Sequence, residues 1–116
     1  MKNVKIEKPK NDIQYYRVSS KEQVDNYSLS TQEKFCRELS ERDGYSVLEI
    51  WREEGESAKT ANRTQLQLMM RFAEKNKKRI SRLVVYKVDR LSRDTADYLA
   101  IKTFFNKLGI SLVSAT

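Results

Sequence analysis

Three short stretches carry the side chains that can do chemistry. They are Arg17, Ser19 and Ser20 in YYRVSSKEQ, Arg63 at the close of EEGESAKTANR, and Asp89, Arg90 and Arg93 in VDRLSRD. Together they offer hydroxyls, a carboxylate and four guanidiniums. The planar fork of arginine matches phosphate oxygens in a bidentate way, and several such cations brought together repel unless an anion lies between them. A serine hydroxyl is a weak nucleophile until its proton is removed or the charge developing on its target is stabilised. In phosphoryl transfer that stabilisation is mostly positional and electrostatic, and clustered arginines can supply it. The residue types therefore point to phosphate binding or phosphoryl chemistry. Asp89 either orients an arginine or takes part in proton transfer, and its spacing leaves both open. Each residue alone has a plainer use, as a turn or cap serine or a solvated arginine, so the argument depends on the fold bringing the three stretches together.

The elements around them alternate strand and helix. Apolar patterning predicts strands at 13–18, 45–51, 82–88 and from 110 to 114, with LVVY reading as a strand buried on both faces. Helices are expected at 30–42, with Phe35, Cys36 and Leu39 on the apolar stripe and Gly44 as the stop, at 64–75 with Leu66, Met69, Met70 and Ala73, and at 94–108 with Tyr98, Ile101, Phe105 and Leu108 on one face before Gly109. This order implies an α/β fold: a doubly wound, mostly parallel sheet of at least four strands with helices on both faces and right-handed crossovers. In such a sheet all strand C-termini lie along one edge, where ligands bind at the switch point of strand order. The three reactive stretches follow the first, second and third strands and so share that edge. Arg90 and Arg93, three apart at a helix start, are expected to face the same side.

At 116 residues, with 39% hydrophobic residues and only four Pro plus Gly, the chain fits one folded domain. Basic side chains outnumber acidic ones 23 to 16, and the resulting +7 favours a polyanion such as nucleic acid, or an anionic surface. The absence of histidine excludes a Ser-His-Asp triad or a His-ligated metal site built within this chain. Cys36 is the only cysteine, so no internal disulfide can form, and a reducing cytoplasm fits. No metal-ligand spacing or glycine-rich phosphate loop is present, and no cofactor is expected. No apolar run approaches the roughly 20 residues that span a bilayer, and MKNVKIEKPK lacks the apolar centre of a signal peptide. Residues 1–11 read as a flexible basic arm, with order beginning near Asp12. Lys75, Lys77, Lys78, Arg79 and Arg82 precede a strand, which puts them on the edge opposite the three stretches, where they read as a solvated face.

Tyr15-Tyr16-Arg17-Val18-Ser19, followed by Gln23 and by SLSTQ ending in Gln32, resembles the start of serine recombinases, the resolvase and invertase superfamily. EGESAKTANR and YKVDRLSRD resemble its two other signature blocks in order and interval, so the likeness runs from about Ile13 to Thr116. It implies that residues 12–116 are a catalytic domain in which Ser19 attacks DNA, with Ser20 its non-catalytic neighbour. Arg17, Arg63, Arg90 and Arg93 would grip the scissile phosphate, Gln23, Gln32 and Asp89 would support the site, and Ser57 would lie near it. The implied reaction is site-specific recombination: a 5′-phosphoserine intermediate, strand exchange and religation, carried out by dimers and tetramers on double-stranded DNA. A cytoplasmic, nucleoid-associated enzyme of prokaryotic, phage or mobile-element origin is the implied setting. Glu54, Ala58 and Tyr16 depart from the usual aspartate, glycine and smaller residue, which bears on loop geometry. The chain ends after its fourth strand, before the long dimerisation helix and DNA-binding region that the resemblance implies, so a truncated fragment that is poorly active and monomeric is expected. Two other readings stand beside this one: a DNA- or protein-binding regulatory module on the same fold, and a small-molecule phosphate-binding domain.

Overall fold

The structure is a computed structural model that describes residues 7–18, 28–54 and 63–116. Four strands, β1 (Asn11–Val18), β2 (Ser46–Glu54), β3 (Arg82–Val85) and β4 (Ser111–Ser114), alternate with three helices, α1 (Leu29–Asp43), α2 (Thr64–Lys75) and α3 (Thr95–Lys107). The strands form one parallel sheet in the order β2-β1-β3-β4. The expected α/β sheet with helices on both faces is therefore present.

Side-chain alternation sorts the core into two layers. Ile13 and Tyr15 of β1 and Leu83 and Val85 of β3 pack with Trp51, with Leu66, Met69 and Ala73 of α2, and with Ile101 and Phe105 of α3. Their neighbours Tyr16 and Val84 point the other way and pack with Tyr86 and with Cys36 and Leu39 of α1. Burial of a side chain of this size is worth roughly 1.5–3 kcal/mol, which explains how the four-residue β3, with three of its positions buried, holds its place.

The helix ends follow local chemistry. Ser28 caps α1 by accepting from the Thr31 N–H at 3.2 Å, and Gly44 closes it at φ 77°, a conformation that suits glycine. Asp94 caps α3 by accepting from the Asp97 N–H. Phe35 does not join the stripe expected of it: it is 40% exposed and touches Tyr86 at the rim of its layer.

Two sequence expectations change on the lower edge. Residues read as part of an arm belong to the fold: β1 starts at Asn11, and Lys8 donates at 2.9–3.1 Å to the carbonyls of Ile80, before β3, and of Leu108 and Gly109, beyond the end of α3. Of the basic run, Lys75, Lys77, Lys78 and Arg79 are exposed. Arg82 instead folds inward to the buried Asp12 carboxylate at 2.7 and 2.8 Å, reaches Asp43 at 2.8 Å, and stacks on the Tyr45 ring.

Candidate active site

The strand order fixes where a site belongs. From β1 the chain passes through α1 to β2 on one side, whereas from β3 it passes through α3, on the opposite face, to β4 on the other. β1 and β3 are neighbours, so the switch point lies at their C-terminal ends, where diverging connections open a crevice. Arg17 is the penultimate residue of one of these strands, and Asp89 and Arg90 follow the other.

Arg17 is fully buried, and it continues the alternation of Ile13 and Tyr15 into the α2/α3 layer. Its Nε donates to the Arg90 carbonyl at 3.1 Å and its Nη2 to the Asp89 carbonyl at 3.2 Å. Arg90, also fully buried, returns the contact by donating from Nη1 to the Arg17 carbonyl at 2.9 Å, and its Nε donates to Asp89 Oδ1 at 3.1 Å. Arg63, 2% exposed, arrives from the second loop and donates from Nη1 to the Leu91 carbonyl and from Nη2 to Asp97 Oδ2 at 3.1 Å. Three consecutive carbonyls, at positions 89, 90 and 91, thus accept guanidinium N–H groups from β1 and from the N-cap of α2. Val88–Arg90 forms a short 3₁₀ turn, which lies beside the end of β1.

Gln32, on α1 and fully buried, frames the Arg17 backbone from the other side. Its Oε1 accepts from the Arg17 N–H at 3.2 Å and its Nε2 donates to the Arg17 carbonyl at 3.0 Å, the pairing a further strand would give. Arg17, Arg63, Asp89, Arg90 and Gln32 are therefore brought together as the sequence implies. Arg93 is exposed whereas Arg90 is buried; it lies between the 3₁₀ turn, which ends at Arg90, and α3, which starts at Thr95. The arginines also do not wait unpaired for an anion, since Asp89 and Asp97 already meet two of them. Ser19, Ser20, Gln23, Ser57 and Ala58 lie outside the described residues.

Two carboxylates and a phenol join this site without having been singled out by sequence. Glu53 at the end of β2 is 2% exposed and accepts from the Tyr15 hydroxyl at 2.8 Å and from the backbone N–H groups of Gln65 and Leu66 at 2.9 and 3.1 Å. Burial above all, and then the Glu53 charge, pushes the Tyr15 phenol far up, so it stays a donor. Asp97 is the other carboxylate, and its side chain is 41% exposed. The signal in each case is an acid at a strand end or a helix start, which an ordinary edge residue or cap shares. Tyr16, the bulky departure, is accommodated by burial and by its hydroxyl donating to Gln14 Oε1.

A parallel sheet with buried guanidiniums gathered at its switch point defines an α/β domain of the doubly wound class. The chain belongs to the resolvase family: residues 13–116 match the model of the Resolvase, N terminal domain. Among solved structures it is similar to the N-terminal catalytic domain of TP901-1 integrase, at 29% identity and TM-score 0.80, covering 91% of this chain and 77% of that one. It is likewise similar to a resolvase family site-specific recombinase from Streptococcus pneumoniae, at 26% identity and TM-score 0.77, covering 90% and 71%. Among curated proteins, the uncharacterized immunity region protein 3 of Bacillus phage phi105 is 37% identical over 67 residues, which is 57% of this chain and 82% of that protein.

Proposed function

We propose that this domain is the catalytic part of a site-specific DNA recombinase, and that Ser19 is its nucleophile. The observation that carries the reading is the mutual clasp of Arg17 and Arg90 at the β1/β3 switch point, with Arg63 joined to the same peptide run, two residues in sequence before Ser19. Family membership and the similarity to the catalytic domain of TP901-1 integrase and to a resolvase family site-specific recombinase support it.

In the proposed reaction the Ser19 oxygen attacks the scissile phosphorus. A bond forms from that oxygen to phosphorus, the bond from phosphorus to the 3′ oxygen breaks, the serine proton passes to solvent, and the departing 3′ oxygen takes a proton from solvent to leave as a 3′ hydroxyl. The phosphoserine ester remains equivalent to a diester, so attack by a 3′ hydroxyl of the exchanged strand reverses the step without ATP. Arg17, Arg63 and Arg90 stabilise the charge spread over the phosphoryl oxygens, which is the main work of such a site. Asp89 serves by orienting Arg90, a role supported by its 3.1 Å contact with Nε. Arg93, exposed beside the rim, meets the incoming backbone. Gln32 supports Arg17, and Gln23 and Ser57 complete the surroundings of Ser19. The whole protein acts on double-stranded DNA in the nucleoid, as a dimer that pairs into a tetramer, with strand exchange directed by parts outside this domain.

Mixing full-length protein with DNA carrying its recombination site, under denaturing quench, gives a covalent protein–DNA adduct in wild type and in Ser20→Ala, and none in Ser19→Ala. An undiminished adduct in Ser19→Ala contradicts the assignment. No adduct in wild type on its own site favours a binding module on the same fold.

A further inference from the structure

We infer that Asp97, in the first turn of α3, is a positioning residue for Arg63, a role that rests on the recombinase reading above. Arg63 stands at the N-cap of α2, a place poorly suited to it. Its side chain only donates, so it cannot cap the helix, and its charge sits at the positive end of the helix dipole. Glu53 caps α2 instead, through the Gln65 and Leu66 N–H groups. A residue kept against local preference, with a compensating partner on a neighbouring strand, marks a functional position.

The Arg63 guanidinium is then fixed at two of its three nitrogens, Nη1 on the Leu91 carbonyl and Nη2 on Asp97. Its Nε is buried and meets no acceptor among the described residues. Asp97 is itself anchored, since its N–H donates to Asp94 Oδ1 at 3.1 Å and its charge complements the N-terminus of α3. α3 thereby sets the rotation of a guanidinium that belongs to α2. Asp97 is 41% exposed but Arg63 is buried, so Asp97→Ala costs stability as well as orientation, and Asp97→Asn, which keeps an acceptor, separates the two.

The test uses full-length protein and a nicked duplex carrying its site, which traps the adduct. Asp97→Ala slows adduct formation by about 10- to 100-fold, the size expected for a misplaced group, and leaves DNA affinity unchanged. Asp97→Asn, which keeps an acceptor oxygen, restores most of the rate. In an Arg63→Ala background, Asp97→Ala has no further effect. An unchanged rate, an equal loss in the Arg63→Ala background, or faster reaction with tighter DNA binding overturns the proposal, the last showing Asp97 to be an anion that DNA must displace. Failure of wild type to form adduct counts against the recombinase reading instead. The Arg63 Nε–H resonance in a nitrogen-edited NMR spectrum then decides the matter: Asp97→Ala should shift it and speed its exchange, and an unaltered signal rejects a positioning role.

Discussion

Gln32 illustrates how the site is framed one residue at a time. Its amide meets both the N–H and the C=O of Arg17, and because Arg90 Nη1 also donates to that carbonyl, Gln32→Leu deprives the buried N–H of this partner while the C=O keeps Arg90. A buried N–H deprived of its acceptor costs about 1–3 kcal/mol, and chemical denaturation should show a loss in that range. A loss under half a kilocalorie would mean that the Arg17 backbone has other partners. The arginines were legible in the sequence because their types and blocks point to phosphate, and Gln32 was legible from the same resemblance. Glu53 and Asp97 were not, because a single acid in a charged stretch carries no periodicity. Their importance comes from what the fold sets opposite them, a helix N-terminus and a guanidinium.

At the scale of elements, the β–α alternation predicted the sheet and its helices, and the ends moved for identifiable reasons. β2 continues to Glu54, past the charged run Arg52-Glu53-Glu54, because Arg17 and Val18 pair with Glu53 and Glu54, while the edge position lets Arg52 turn outward to Glu33. β3 stops at Val85 because Tyr86 and Lys87 lead into the 3₁₀ turn that carries Asp89 and Arg90 to β1. Glu53 joins β1, β2 and α2 through one carboxylate, so Glu53→Ala leaves the Tyr15 hydroxyl and two helix N–H groups unsatisfied. Thermal or urea unfolding should report about 2–4 kcal/mol of lost stability, from a lost cap together with buried donors. Glu53→Gln retains an acceptor and should lose less; equal stability of the alanine variant and wild type would reject the capping role.

For the whole molecule, burial ties stability to alkaline pH. Burial first, and the Glu33 charge next, lifts the Cys36 thiol from 9.0 to about 12. Burial likewise pushes Tyr15 and Tyr16 above the ordinary phenol range. Groups whose folded values are raised hold their full contribution below the unfolded value and lose it as pH climbs toward the folded one. Stability is therefore flat in these groups near neutrality and falls above about pH 9, which unfolding curves from pH 7 to 11 should show. Native protein at pH 8 should also resist thiol alkylation until it unfolds, and rapid native labelling of Cys36 would contradict the buried α1 layer. No helix among the described residues is long and apolar enough to cross a membrane. The surplus of seven positive charges suits a DNA partner. The central claim is that one hydroxyl, set beside this arginine cluster, becomes bonded to DNA. Trypsin cuts after Arg17 and Lys21, releasing the peptide Val18-Ser19-Ser20-Lys21 from a trapped adduct. Fragmentation mass spectrometry after nuclease digestion should place the nucleotide phosphate on Ser19, and finding it on Ser20 or on another peptide would contradict the account.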